Sequence, residues 1–333
     1  MTHTTAPPSP HKITAPLISV FSSAALLAAL QLELFTALGE SALTGEELAA
    51  VMCVKPRRLF PVLNALVLLG LLRRSGDRFA NGEEAAYYLI KGKASYIGGN
   101  HELYADLHNA AFCTAQSIRE DKPVAQHDFR AMSDEALEAF FRGLHAFGVV
   151  QGRELARKHD FSRFTSLADV GGGTGNVAIG ACEVCPGLRA TVLELDRVVP
   201  IAQRFIAEAG LAARIAVLHC EVTREPAAGK FDAAVLRNLI QVLSPEEAKR
   251  TIENVGSSMR SGGEIYIIGY VLDDACREPW EAAAYDVVFL NIYADGRSYT
   301  DGQYRQWLEG GGFGGIKREL LPNNMSLITA RKR

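Results

Sequence analysis

The sequence predicts two modules: an α/β domain on a parallel sheet in the C-terminal half, preceded by a smaller, mainly helical winged-helix-like module. Three observations carry this. A glycine-rich stretch, Gly171-Gly172-Gly173-Thr174-Gly175, follows a short apolar strand and opens an apolar helix. Beyond it, apolar strand patterns alternate with helical ones, the mark of a sheet covered on both faces. Before it, two short helical patterns lead into two strand-like runs around a tight turn.

Length agrees with two modules, because 333 residues exceed a typical domain of ~100–200. Hydrophobic residues make up 48% and charged residues 22%, which excludes a long disordered chain and a collagen-like one. A net charge of −3 argues against a protein that coats nucleic acid. The cysteines, Cys53, Cys113, Cys182, Cys185, Cys220 and Cys276, are too scattered for a disulfide scaffold and read as reduced thiols of a cytoplasmic protein. The opening MTHTTAPPSPHKITAP is polar and proline-rich, so no secretory leader is expected. The apolar run 59–72 is too short for a bilayer, which needs ~20 residues. The run 16–38 is broken by Gln31 and Glu33. Both are expected as buried helices, with neither membrane nor nucleic acid as a partner.

Residues 1–12 are expected to form a flexible arm. The stretch 18–38 is apolar nearly all round and must be buried, which points to a homodimer. Thr44 opens a short helix with Glu46 and Glu47 in its first turn, where the helix dipole favours acids. A second helix is expected over 57–72, then a turn between two short strands over 73–79. Helix, turn, helix and β-wing form a winged-helix pattern. Such a pattern can read DNA through its second helix. Here Leu59, Phe60, Val62, Leu63, Leu66, Val67 and Leu68 leave that helix little polar face, so a dimerisation module over 13–100 is the expected reading. Residues 101–158 read as a helical linker with pocket helices, and 159–333 as the α/β domain.

The glycine loop allows three readings. A phosphate loop would need Gly-Lys-Ser/Thr, which is absent. A dinucleotide site is possible, because Glu194 ends the next strand and could hold ribose hydroxyls. The spacing of Gly171, Gly173 and Gly175, with Asp169 just ahead, fits S-adenosylmethionine better, placing Asp169 near the cofactor's cationic amino-acid end. Glu221 and Val222 end a third strand, at a position that can flank adenine. A fourth strand ends at Arg237, facing the crevice where such sheets bind ligands.

With these motifs the chain resembles the two-domain small-molecule methyltransferases typified by plant caffeate and flavonoid O-methyltransferases, with hydroxyindole and bacterial polyketide relatives. The resemblance spans nearly the whole chain, to Gly312-Phe313. It implies a Rossmann-like class I methyltransferase domain, S-adenosylmethionine as cofactor, and Asp169, Gly171, Gly173, Gly175, Glu194, Leu195, Glu221, Val222 and Arg237 as cofactor residues. Asp-Leu-Pro is usual in the family where this chain has Glu194-Leu195-Asp196.

The resemblance also implies a catalytic His after the fourth strand, oriented by two Glu. Gln241 stands in the His position, and a carboxamide is no base near neutral pH. Gly269 and Ser298 replace the two acids. Three losses together imply chemistry without a general base, with Gln241 as a positioning residue. A thioether sulfur carries no proton to remove. Bacterial relatives in dimethylsulfoniopropionate synthesis methylate the thioether of 4-methylthio-2-hydroxybutyrate, and S-methylation of that acceptor is the expected activity. The alternative is O- or C-methylation of a phenolic or polyketide-type metabolite. A winged-helix regulator with a ligand-sensing domain is a third, weaker reading, given the apolar second helix.

The expected acceptor pocket is lined by Leu144, Phe147, Gln241, Tyr285, Phe289 and Tyr293. A small hydroxy acid needs a cation, and Arg142, His145 and Arg297 are the candidates. Cys182 and Cys185 have metal-ligand spacing but no second pair, so they read as packed thiols, and no metal is expected. Trp280 and Trp307 are expected to pack.

Overall fold

The computed structural model describes residues 8–333; the first seven, most of the expected arm, lie outside the described residues. The chain divides into two compact units, Met1–His101 and Glu102–Arg333. The helical stretch expected as a linker over 101–158 therefore falls, from residue 102 on, within the second unit.

The first unit opens on α1 (His11–Gln31), so His11 and Lys12 of the expected arm are helical. The single helix expected over 18–38 is split, because Glu33 adopts a φ of +51° and α2 (Leu34–Leu38) starts afresh. After β1 (Leu43–Thr44), Thr44 caps α3 (Gly45–Val51). Its Oγ1 accepts the Glu47 N–H at 3.1 Å while the Glu47 carboxylate accepts the Thr44 N–H at 2.8 Å, a capping box. The next helix, α4 (Pro56–Leu68), buries Leu59, Leu63 and Leu66, spaced to share one face. It stops short of residue 72 at a turn with Gly70 at φ +76°. β2 (Leu72–Ser75) and β3 (Arg78–Asn81) form an antiparallel pair, and the small sheet runs β1-β3-β2. α5 (Glu83–Tyr88) closes the unit around a core of Leu34, Phe35, Leu48, Leu63, Leu66 and Phe79.

The burial expected for the first helix is not met within this chain. Ile13, Leu17, Ile18 and Phe21 of α1 are 59–69% exposed, and only Ala29 and Leu30 are buried. Among the described residues α1 alone is long and apolar enough to cross a membrane, by length and composition.

The second unit begins with α6 (His101–Ala111), α7 (Thr114–Glu120) and the long α8 (Asp134–Lys158). The α/β part follows: β4 (Ser166–Val170), α9 (Asn176–Val184), β5 (Arg189–Glu194), α10 (Val199–Glu208), β6 (Ile215–His219), β7 (Phe231–Arg237), α11 (Pro245–Ser257), β8 (Met259–Gly269), α12 (Trp280–Ile292), α13 (Asp301–Gly310), β9 (Phe313–Leu320) and β10 (Ser326–Lys332). The sheet order is β6-β5-β4-β7-β8-β10-β9. The first five strands are parallel, but β10 runs antiparallel to both β8 and β9. The sheet is therefore mixed rather than wholly parallel. The connection after β9 is too short for a crossover and permits only a hairpin.

Strand residues alternate between two cores. Leu167, Val192, Ala233 and Val235 meet α8, α9 and α10, whereas Ala168, Val170, Leu193, Ala234 and Leu236 meet α11 and α13. Helices α8 and α9 cross closely: a Cβ on Gly180 would lie 2.2 Å from the Val149 carbonyl oxygen. That approach presses the residues of α8 against the loop after β4. Trp307 packs beside Tyr299 and Tyr304 as expected, but Trp280, at the start of α12, is 76% exposed.

Candidate active site

Two buried acids organise the carboxyl ends of β4 and β5. Glu194 accepts the Gly173 N–H at 2.9 Å on one oxygen and the Leu195 N–H at 2.7 Å on the other. Burial pushes its carboxyl up to about 7, against those two hydrogen bonds. Asp169 is fully buried; one oxygen accepts the Ala178 N–H at 3.0 Å and the other has no partner. Burial pushes it up to about 6, opposed by the Ala178 N–H and the charge of Arg237. Gly171, Gly173 and Gly175 all have positive φ. At Gly173 a Cβ would meet Phe141 at 2.7 Å, so only glycine brings the backbone this close. The Arg237 Nε donates to the Gln151 Oε1 at 2.5 Å, with the guanidinium over the Phe147 ring.

The structure thus brings together Asp169, the three glycines, Glu194, Leu195 and Arg237. Leu195 packs on the Phe141 and Phe205 cluster beside the loop. Val222 does not join them: its side chain is buried in the core among Ala168, Leu193 and Phe231, because the chain turns inward after β6. Glu221 is engaged by Arg130 at 3.1 Å and Arg224 at 2.9 Å, which hold its carboxyl below the usual range.

Gln241 is buried and held at both ends of its amide. Its Oε1 accepts the Tyr270 N–H at 3.2 Å, and its Nε2 lies 3.5 Å from the Asn238 Oδ1. A Cβ on Gly269 would lie 2.6 Å from the Gln241 Oε1, so the glycine is the room the amide occupies. Ser298 donates its hydroxyl to the Ala282 carbonyl and its N–H to Asp286. Neither position carries an acid that could orient a base.

Around Gln241 stands an aromatic wall. Tyr270 stacks on Tyr285 at 3.7 Å, and Phe289 and Tyr293 continue it at 5.6 Å from each other. Phe129 and Phe140 close in from the other side, Phe129 lying 6.5 Å from Tyr293. The buried Asn291 fixes α12, accepting from Ser117 and donating to Thr114 of α7. Leu144, on the same helix as Phe147, presents its carbonyl to Asn176 at the head of α9.

The three candidate cations do not fit their expected role. Arg142 is exposed and pairs with Glu138 on α8. Burial drops His145 to about 4, so it is neutral at pH 7; its Nδ1 lies 2.8 Å from the Thr174 hydroxyl. Arg297 is exposed, over the Tyr299 ring. Cys182 and Cys185 are buried free thiols, and no group of metal-binding side chains occurs among the described residues.

Residues of this region that sequence reasoning missed are Tyr270, Asp286 and Asn291. Tyr270 was legible as the residue that follows β8. The others carry no motif and depend on tertiary packing.

Comparison with known proteins identifies the family. The O-methyltransferase domain family matches residues 109–314, and the O-methyltransferase dimerisation domain matches residues 17–91. The chain belongs to the O-methyltransferase family. The methyltransferase is 31% identical to the 3-hydroxy-5-methyl-1-naphthoate 3-O-methyltransferase of Streptomyces sahachiroi, over 86% of this chain and 84% of that one. It is 28% identical to the N,N-dimethyltransferase OxyT of Streptomyces rimosus, over 92% of both. The crystal structure of human N-acetylserotonin methyltransferase in complex with S-adenosylmethionine shares the fold, with a TM-score of 0.81 at 20% identity over 100% of this chain and 99% of that one.

S-adenosylmethionine is the methyltransferase's cofactor, and the residues present fit it. The unpaired Asp169 oxygen suits a cationic amino group, and Glu194 retains lone pairs for a ribose diol. The comparisons support a small-molecule methyltransferase and give the expected thioether S-methylation no support.

Proposed function

We propose that this chain is an S-adenosylmethionine-dependent O-methyltransferase whose acceptor is a phenolic hydroxyl on an aromatic small molecule. The observation that carries the reading is the wall of Tyr270, Tyr285, Phe289 and Tyr293 beside the buried amide of Gln241. Aromatic rings packed edge-on or offset gain ~0.5–1.5 kcal/mol per pair beyond burial. A small hydroxy acid would find no free buried cation among Arg142, His145 and Arg297.

In this reading Asp169 holds the cofactor's amino group and Glu194 its ribose, with the loop of Gly171, Gly173 and Gly175 against its amino-acid end. Leu195 and Arg237 border the cofactor, and Glu221 lies at its rim. The cofactor supplies an electrophilic methyl group when bound. Leu144, Phe147, Tyr285, Phe289 and Tyr293 orient the acceptor ring and exclude water, and Gln241 shapes the floor beneath the reacting oxygen. Alignment and desolvation provide much of the acceleration. The functional unit is a homodimer, supported by the dimerisation-domain match and by the exposed apolar side chains of α1.

The test is to incubate the protein with S-adenosylmethionine and 3-hydroxy-5-methyl-1-naphthoate or N-acetylserotonin, following products by mass spectrometry. A product with one added methyl on oxygen is expected from a phenolic probe. Tight cofactor binding by calorimetry with no transfer to either probe would count against the reading.

A further inference from the structure

The segment between α7 and α8 is strapped across the site. At one end Ala125 and His127 donate their N–H groups to the carbonyls of Asn291 and Ile292, at 3.0 and 2.8 Å. At the other, the Arg197 guanidinium holds the carbonyls of Phe129, Arg130 and Met132, and Arg130 pairs with Glu221 at 3.1 Å. His127 therefore sits where the segment is tied to the end of α12, just before the stretch held by Arg197.

Its side chain is 7% exposed. The Nε2 lies 2.9 Å from an oxygen of Asp106 on α6, and the Nδ1 is buried without a partner. The ring stands edge-on to Phe140 and Tyr293, at 5.4 and 6.5 Å. Those neighbours tie it to the site. Phe140 adjoins Phe141, which covers Gly173, and a Cβ on Gly296 would touch both the Tyr293 Cβ and the Gln241 carbonyl. A carboxylate on one ring nitrogen keeps the proton there and leaves the other nitrogen a bare lone pair, the arrangement of an oriented base.

We propose that His127, oriented by Asp106, is the general base that position 241 does not supply, taking the acceptor hydroxyl's proton on Nδ1; this deepens the O-methyltransferase reading and rests on it. The oxygen–methyl bond forms as the sulfur–methyl bond breaks, the bonding pair stays on sulfur, and the proton passes to the imidazole. Asp106, with its side chain 56% exposed, steadies the imidazolium until that proton leaves to water. Burial lowers the basicity of His127 and Asp106 opposes that, so the ring is neutral near pH 7. Asp106 is the charged group facing it; Phe140 of α8 presents only its ring, and the Tyr293 phenol beyond α12 is held neutral by burial.

The experiment measures kcat and KM from pH 5.5 to 9 with S-adenosylmethionine and 3-hydroxy-5-methyl-1-naphthoate, in the wild type, His127→Gln, His127→Ala with added imidazole, and Asp106→Asn. Base catalysis typically provides ~10²–10⁴-fold, so His127→Gln is expected to lose at least ~10²-fold in kcat with KM little changed. The wild type is expected to lose rate as pH falls through the His127 pKa. Asp106→Asn is expected to shift that acid limb to lower pH, and imidazole to restore part of the His127→Ala rate. A His127→Gln rate within about threefold of wild type, with an unchanged profile, would overturn the proposal.

A second readout needs no turnover. Nitrogen NMR of the protein with S-adenosylhomocysteine is expected to show His127 as the Nε2–H tautomer, with Nδ1 shifting when the naphthoate is added. An Nδ1-protonated or unresponsive ring overturns the base assignment. Absence of methyl transfer to any phenolic probe, with the NMR response intact, strikes the O-methyltransferase reading instead.

Discussion

As the proposed ribose acceptor, Glu194 meets two opposed demands. A ribose acceptor must be buried and anionic, and burial penalises the anion. In the protein without cofactor, Glu194 binds its proton more tightly folded than unfolded, so stability is highest while it is protonated. That contribution is lost as pH rises from its ordinary 4.5 through about 7. Asp169, raised to about 6, works in the same direction over a lower window. The cofactor-free Tm is therefore expected to fall as pH rises from about 4 to about 7, and the slope to flatten in Glu194→Gln. Calorimetry should show that variant binding S-adenosylhomocysteine at least tenfold more weakly. Gly173→Ala is expected to do the same, since it forces a Cβ onto Phe141 at a φ of +57°. At this scale the sequence was legible where function follows backbone position: the glycine loop and the acid of the next strand are found together by spacing. His127 and Asp106 were not, because a lone His in a loop gains meaning only when packing sets a carboxylate against one nitrogen and strips water from the other. His145 shows the converse, a candidate cation neutralised by burial that no spacing reveals.

Strands and helices differ in how far local pattern decides them. The fourth strand ends at Arg237 as expected, because four of its residues, Ala233 to Leu236, are fully buried and apolar runs of that length have few other solutions. Thr44 opens its helix for a reason equally local, its own hydroxyl and the acid three residues on. The first helix is different. Apolar composition predicts burial, but α1 leaves Leu17 and Phe21 at 69% and 67% exposure, an apolar face uncovered within the single chain. With a dimerisation-domain match over the same residues, a second copy is the expected cover. The double variant Leu17→Glu, Phe21→Glu should sediment and scatter light as a monomer at micromolar concentration, where the wild type is expected to be a dimer. A dimer that survives both charges would move the interface elsewhere. The antiparallel β9–β10 edge was missed because alternation of strand and helix, which argues for parallel pairing, ends before those strands.

At the scale of the molecule, the residues proposed for the cofactor and the aromatic wall proposed for the acceptor both lie within Glu102–Arg333. Fold and cofactor were legible because backbone loops and apolar strands encode them. The acceptor was not, because the side chains proposed to choose it come from α8, α12 and the segment before α8, which are far apart in sequence. The replacements at Gln241, Gly269 and Ser298 suggest a protonless acceptor from sequence alone, but packing couples the first two, since a Cβ on Gly269 would meet the Gln241 amide. The most direct measurement is a competition. The protein receives S-adenosylmethionine with equal concentrations of 3-hydroxy-5-methyl-1-naphthoate and 4-methylthio-2-hydroxybutyrate, and products are resolved by mass spectrometry. The account predicts methyl transfer to the aryl oxygen, with the thioether untouched. A dimethylsulfonio product, with the naphthol unchanged, would contradict it.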